Sequence, residues 1–387
     1  LGGPPQAHGQ RHHQGRGHAE RCAAVVNALP ESQPVTVFCA KPDIFPDFTR
    51  HVEVITLPSL FEATGAEDIH DTTSAPDTVH CAPLGWPGIR QAMARMASWF
   101  AHANPVLMIS DVSAEVAQLA RLCSVPHVNV LQHGQRGDAG HHAAYDGAVG
   151  LLCPGAQALA QPDWPVRHLV KTHFAGGLGV DVKRPDPAQR ATLRARMGVA
   201  ADQRLVVVMS GGGGTGFASA PFGIAARAMP DTTFITIGQM ARDWHATEPA
   251  NLHHHGWVEN APDYLAAADL VVASTGNTTC HQILVAEKPW LAVPEWRYFD
   301  EQIEKANALA RAGGAHHLPH FPSSADAWRA AINTTFDTHD PALQRSLVNE
   351  NAASETAQWL CTLVHQLLPK TSNETGDLHD VVHPIRA

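Results

Sequence analysis

Leu205-Val206-Val207-Val208-Met209-Ser210 runs straight into Gly211-Gly212-Gly213-Gly214-Thr215-Gly216. The same grammar returns at Leu270-Val271-Val272-Ala273, followed by Ser274-Thr275-Gly276-Asn277-Thr278-Thr279. A short, wholly apolar run bounded by glycine reads as a strand buried on both faces of a parallel sheet. A loop of glycines and hydroxyls after such a strand, opening a helix, presents backbone N–H groups and a positive helix end to an anion. Two such loops in one half of a chain point to a diphosphate held between them, and so to a nucleotide-linked substrate.

Outward from these loops the alternation continues. Thr233–Ile237 and Trp290–Val293 read as further strands of the second half. Val35–Cys39, Val52–Leu57, Val106–Ile109, His127–Leu131 and Ala148–Leu152 read as strands of the first. Between them, Cys22, Val25, Val26 and Leu29, and likewise Val116, Leu119, Ala120 and Cys123, recur at helical spacing. Alternating strands and helices predict an α/β fold with parallel sheets covered on both sides. Residues 154–187, with Ala175-Gly176-Gly177-Leu178-Gly179, are rich in Pro and Gly and read as an interdomain connection. The expected layout is two doubly wound domains, 1–170 and 171–344, with ligand beyond the carboxyl ends of the strands. Leu343–Leu368 carries one long helical pattern ending at Pro369, 369–387 reads as a mobile tail, and 69–78 as a loop.

Composition narrows the class. A chain of 387 residues suggests two domains of roughly 150–200 residues each. At 44% hydrophobic and 17% charged it is an ordinary globular sequence. No apolar run approaches the roughly 20 residues that span a bilayer, and Gly2-Gly3-Pro4-Pro5 lacks the apolar core of a signal peptide. Seven scattered cysteines, mostly in apolar runs, fit reduced thiols and a cytoplasmic protein. A net charge of −10 without a Lys/Arg run argues against a general nucleic-acid partner and against a polybasic membrane anchor.

Gln14-Gly15-Arg16-Gly17-His18-Ala19-Glu20-Arg21-Cys22 stands ahead of the first amphipathic helix. Its glycines allow close backbone approach, and a histidine at a helix start is kept neutral by the positive dipole end and so available as a base. Against this stands a plain glycine turn bearing one solvated histidine of 26. A buried strand should precede such a loop, yet Pro4–Arg11 is not strand-like. His12-His13, His253-His254-His255 and His316-His317 lack metal-ligand spacing, and neighbouring histidines on a strand point to opposite faces, so no metal site is expected. The glycine run lacks the Lys-Ser/Thr of a P-loop and the acidic partner of a dinucleotide site.

Residues 205–314 resemble the donor domain of family 28 glycosyltransferases. The resemblance rests on Gly211–Gly216, Gly256-Trp257-Val258-Glu259-Asn260-Ala261, Tyr264-Leu265-Ala266-Ala267-Ala268-Asp269 and Ser274–Thr279. Pro289–Pro294 and Asp300-Glu301-Gln302 through Asn307-Ala308 follow in the family's order. Gly15-Arg16-Gly17-His18, Ile109-Ser110-Asp111 and Val125-Pro126-His127 to Gln132-His133-Gly134 resemble the acceptor domain more loosely, so that the likeness covers roughly 12–320. It implies a GT-B architecture, with the helix 345–368 crossing back to the first domain. It further implies a UDP-sugar donor facing Val258, Gly213, Gly214, Thr215, Gly216, Gly276, Asn277, Thr278 and Thr279. Gln302 and Asn307 would lie near the donor sugar, and His18 would be the base. Gly15, Gly17, Asp111, Gln132 and His133 would stand on the acceptor and diphosphate side. The family's ribose-binding glutamate is matched here by Gln282, and its loop serine by Gly214.

The implied activity is inverting, metal-independent and cofactor-free transfer of a sugar, an N-acetylhexosamine among the candidates, to a hydroxyl acceptor in cell-envelope or polysaccharide synthesis. Asp77–Pro105, with Trp86, Ile89, Met93, Met96, Trp99 and Phe100, reads either as core or as an apolar surface for the acceptor or the inner face of the membrane. Two alternatives stay open. Gly15-x-Gly17-His18-x-x-Arg21-Cys22 is similar to the opening motif of UDP-sugar hydrolases of pseudaminic acid synthesis. A non-catalytic sugar-nucleotide binder would use the same cradle. A nucleotide-sugar epimerase shares the architecture, but no acidic cluster in the sequence demands it.

Overall fold

The computed structural model describes residues 16–60, 62, 63, 65, 67, 75–180, 186–211, 216–242 and 247–368. Its second half is built on a six-stranded sheet. The strand order is Leu252–Gly256, Thr232–Ile237, Arg204–Met209, Leu270–Ala273, Trp290–Ala292, His316–His317. Every pairing in it is parallel. Side chains alternate between two cores: Leu205, Val207 and Ile235 face one, and Val206, Val208 and Phe234 face the other with Trp328. That period of two, buried on both sides, is why the runs are continuously apolar.

The first half holds a parallel four-stranded sheet, Met108–Ser110, His127–Val130, Gly150–Cys153 and Thr172–Phe174. A separate parallel pair is formed by Thr36–Cys39 and Glu53–Thr56. The helix Arg16–Ala28 packs on the helix Ala352–Leu367. Leu360 of that last helix joins Val25, Val128, Val130 and Leu152 in one core. Trp359 stacks on His173 with ring centroids 4.9 Å apart. The chain therefore ends its described course on the half where it began.

Three expectations need correction, and one is narrowed. Thr172–Phe174 is a sheet strand inside the stretch read as a connection; its pairing to Gly150–Cys153 is tertiary, and the following Gly177 N–H donates to Pro154 O at 2.7 Å. Leu252–Gly256 is a strand whose histidines hid its pattern, because edge position lets polar side chains face out. The pattern 343–368 is two helices, Pro341–Ser346 and Ala352–Leu367, parted where Asn349 N–H donates to Gly176 O at 2.8 Å. Finally, Pro87–Ala103 spends its apolar face internally. Ala92, Met96 and Phe100 are buried with Leu57, Val116 and Val125, and Met93 and Trp99 pack on the same cluster. The core alternative thus accounts for Met93, Met96, Trp99 and Phe100, while Trp86 and Ile89 stand outside this cluster. Among the described residues no helix is long and apolar enough to cross a membrane.

Candidate active site

The two halves meet along a seam at the carboxyl ends of their strands. A Cβ placed on Gly17 would lie only 2.7 Å from Thr278 Oγ1, so glycine is what permits the first helix of one half to approach the second loop of the other. Gln135 N–H donates to Phe299 O at 2.6 Å, and Arg136 pairs with Glu301 at 3.4 Å while its guanidinium lies over the Phe299 ring. A Cβ on Gly155 would stand 4.0 Å from His281 Nε2.

His18 and Arg21 occupy the first turns of the helix Arg16–Ala28, and Asp111 directly follows the strand Met108–Ser110. Arg21 grips the carboxylate in a fork, with Nη2 donating to Oδ1 at 2.7 Å and Nε to Oδ2 at 3.2 Å. Burial alone would raise the Asp111 carboxyl, but the charge of Arg21, and then of His18, outweighs it and holds the group well below the usual carboxylate range. His18 Nδ1 lies 2.9 Å from Asp111 Oδ2 and 2.6 Å from Arg21 Nη2. A carboxylate only accepts and a guanidinium only donates, so these neighbours favour opposite tautomers. We assign Nδ1–H to Asp111, because Arg21 already has its acceptor there and His18 has no other. Nε2 is then the free basic nitrogen, on a side chain that is about half exposed. Arg21, three residues after His18 in the quoted motif, is the member of this group that the sequence reading left without a role.

Across the seam, Gly276 starts the helix Asn277–Ala286 with no side-chain cap, leaving first-turn N–H groups for a ligand. Thr278 faces Gly17, and Gln282 lies one turn further on the same helical face. Thr279 Oγ1 would stand 3.7 Å from a Cβ on Gly211, which brings the two glycine loops together. Gly216 adopts a positive φ of 79° where the first loop closes. Gly213, Gly214 and Thr215, like Gly15 and His12-His13, lie outside the described residues. Val258 follows the strand Leu252–Gly256 and packs its side chain against the core.

Gln302 is buried and acts as a staple. Its Oε1 accepts from Glu295 N at 2.8 Å and Thr275 N at 3.3 Å, and its backbone carbonyl accepts from Thr275 Oγ1 at 2.6 Å. Among the described residues its Nε2 has no partner, so it stays available to a sugar hydroxyl. Asn307 is five residues on, which turns it to another face of the helix Glu301–Arg311. One ligand group is therefore not read by both. Of the two acceptor-side residues Gln132 and His133, the second is closed off and the first has its amide oxygen engaged. Both are buried, Gln132 Oε1 accepting from Arg136 Nη2 at 3.2 Å and His133 Nε2–H donating to Leu159 O at 2.6 Å. Burial, followed by the charge of Lys305, pushes His133 down to about 3 and keeps it neutral. It builds the seam rather than lining its opening.

Several members had no sequence signal, because their roles arise from packing. Phe299 and Asp300 both hold positive φ (63° and 53°), and the Phe299 ring packs against both His80 and His141. Glu295 keeps one buried oxygen, Oε1, without a partner beside Gln302. His80, Asp138 and His141 bring three metal-capable atoms within 4.8 Å of one another. Hydrogen bonds account for much of that approach: His141 Nδ1–H donates to Asp138 Oδ2 at 2.5 Å and its Nε2 accepts from Arg136 at 3.3 Å. From the histidine clusters, His254 accepts from Thr236 and donates to Glu248, His255 bonds the Tyr264 hydroxyl, and His316 bonds Thr335. All seven cysteines are unpaired.

Residues 238–327 match the glycosyltransferase family 28 C-terminal domain. Over 120 residues the chain is 32% identical to the UDP-N-acetylglucosamine--N-acetylmuramyl-(pentapeptide) pyrophosphoryl-undecaprenol N-acetylglucosamine transferase of Paramagnetospirillum magneticum. That alignment covers 30% of this chain and spans 31% of the relative's length. In three dimensions, 89% of the chain matches 96% of Acinetobacter baumannii MurG, with a TM-score of 0.58 at 15% identity. Likewise 91% of it matches 96% of Arabidopsis thaliana UGT89C1 complexed with UDP-L-rhamnose, with a TM-score of 0.62 at 14% identity. The chain has the GT-B fold, and the family 28 likeness lies within its second half.

Proposed function

We propose that this family 28, GT-B chain transfers a sugar from a UDP-sugar to a hydroxyl acceptor, with inversion at the anomeric carbon. The observation that carries the reading is the approach of Gly17 to Thr278, which sets the His18–Asp111 pair against the uncapped helix start at Asn277. His18 Nε2 takes the proton of the acceptor hydroxyl as its oxygen bonds to the anomeric carbon. The bond from that carbon to the diphosphate oxygen breaks, and the electron pair leaves with UDP. Asp111 orients the ring and stabilises the imidazolium; a positioned base of this kind contributes roughly 10²–10⁴-fold. The N–H groups and dipole at Gly276–Thr279 meet the charge that develops on the diphosphate, work that a divalent ion performs in other transferases.

The choice of UDP draws support from the names of two similar proteins, one a UDP-N-acetylglucosamine transferase and one crystallised with UDP-L-rhamnose. An N-acetylhexosamine is therefore the first donor to test. A lipid-linked acceptor, an envelope role and contact with the inner face of a membrane draw support from the first of those names. The division between the halves falls after Phe174 in this reading, not at residue 170, because the strand Thr172–Phe174 completes the first half's sheet.

Incubation with UDP-, GDP- and dTDP-sugars, with and without sugar acceptors, tests it. We expect UDP release that depends on acceptor and a product of inverted anomeric configuration by NMR. UDP release at the same rate without acceptor would make His18–Asp111 the activator of a water. Binding of UDP with no turnover across the panel would leave a sugar-nucleotide binder.

A further inference from the structure

Lys305 sits one turn beyond Gln302 on the same face of the helix Glu301–Arg311 and is 5% exposed. That helix packs against the Gln157–Leu159 turn of the first half, so the residue lies in the seam. Its charge is felt by His133 and Cys153 from one half and by Cys280 and His281 from the other. None of these can balance it. Burial pushes the Cys153 and Cys280 thiols up to about 11 and about 12, and pushes both imidazoles down to about 3, so all four are neutral near pH 7. Of the acids near the seam, Glu301 pairs with Arg136, Asp111 with Arg21 and Glu295, through one oxygen, with Arg297; among the described residues none pairs with Lys305. Among the described residues the Lys305 ammonium has no hydrogen-bond or ion-pair partner.

The side chain is almost wholly buried and its ammonium has no counter-charge among the described residues, whereas buried charges in proteins are as a rule paired. A second unmatched group lies in the same seam: His281 is 3% exposed, and its Nδ1 has no partner. Both belong to the wall that carries Thr278 and Thr279, where the helix start opens toward the first glycine loop. A cation and a polar ring nitrogen, both unsatisfied and both beside an uncapped helix start, make a site that is incomplete without an anion.

We propose that Lys305 is a phosphoryl-binding residue whose ammonium receives a phosphate oxygen of a substrate held between the two halves. This rests on the nucleotide-sugar reading of the cleft. The phosphate is that of the donor's diphosphate or of a phosphorylated acceptor, and the test separates the two.

Calorimetric titration of UDP and of uridine into the wild-type chain and into Lys305→Met, Lys305→Gln and Lys305→Arg decides it. For the donor source we expect UDP affinity to fall about ten- to hundredfold in Lys305→Met and Lys305→Gln. Uridine affinity should not move, and Lys305→Arg should restore most of the loss. The unliganded Lys305→Met protein should melt no lower than wild type, because an unpaired charge has been removed. Unchanged UDP affinity, with inorganic phosphate binding to the UDP-saturated wild type but not to UDP-saturated Lys305→Met, assigns the acceptor source. Unchanged binding of both UDP and phosphate in folded Lys305→Met and Lys305→Gln overturns the proposal. If the wild-type chain binds no UDP, the nucleotide-sugar reading fails by itself. Inorganic pyrophosphate then replaces UDP as the probe: binding that Lys305→Met abolishes upholds the assignment to Lys305, and binding it leaves intact overturns it.

Discussion

On the first-half side of the seam, strong charges are matched by side chains: Arg21 forks onto Asp111, which also anchors His18, and Arg136 reaches across to Glu301. On the second-half side, the groups facing the first half are mostly neutral donors and hydroxyls at Gly276–Thr279, together with one cation, Lys305, that nothing in the described chain balances. A proton acceptor must be held in one tautomer and one orientation before substrate arrives, which requires a closed network. A binding surface for an anion must leave its donors open. The two walls differ because one is arranged for a chemical step and the other for a ligand.

The largest expected break of this contrast comes at Asp111. Asp111→Ala strands the Arg21 guanidinium and should cost about 3–5 kcal/mol in urea denaturation, besides lowering turnover. His18→Ala should lower turnover by roughly 10²–10⁴-fold, yet leave stability and UDP affinity nearly unchanged, since the ring is half exposed. A His18→Ala protein with full turnover removes His18 from the mechanism.

Acidification probes the buried seam next. His133 and His281 titrate near 3 when folded but from 6.5 when unfolded. Below pH 6.5 the unfolded chain therefore takes up protons that the folded chain refuses, and stability is lost as pH falls from 6.5 toward 3. By pH 5 the loss should be about 2 kcal/mol per histidine, read by urea melts at several pH values. The depressed carboxyl of Asp111 adds its own loss only below about pH 4.

A smaller effect is expected at the staple. Gln302→Ala frees Thr275 N–H and Glu295 N–H, at about 1–3 kcal/mol each if they stay buried, and should raise the donor KM. Asn307→Ala, on another helical face, should change the donor KM little; an equal rise in both variants would restore the paired reading. The smallest effect belongs to Gln282→Glu. A carboxylate there should strengthen binding of UDP relative to uracil by about tenfold at most, through charge-assisted bonds to ribose hydroxyls.

Legibility tracked how local each feature is. Leu205–Met209 and Leu270–Ala273 were readable because strands buried on both faces must be apolar throughout. Thr172–Phe174 was not, because a short strand beside glycines owes its existence to pairing with Gly150–Cys153. The apolar residues from Trp86 to Phe100 stood out, but nothing local says whether they meet core or solvent. At the site, Gly17, His18 and the Thr278 loop were visible in their motifs. The burial of His133, the separation of Asn307 from Gln302 and the isolation of Lys305 were not.

Apolar periodicity and glycine placement, both properties of neighbouring residues, determined the alternating architecture and the anion-cradling loops. Tertiary structure alone decided the charges. Arg21 meets a carboxylate 90 positions away, Gly17 meets Thr278 across the seam, and Lys305 meets no carboxylate among the described residues. Electrostatic energy depends on distance in space and on burial, and a linear sequence records neither.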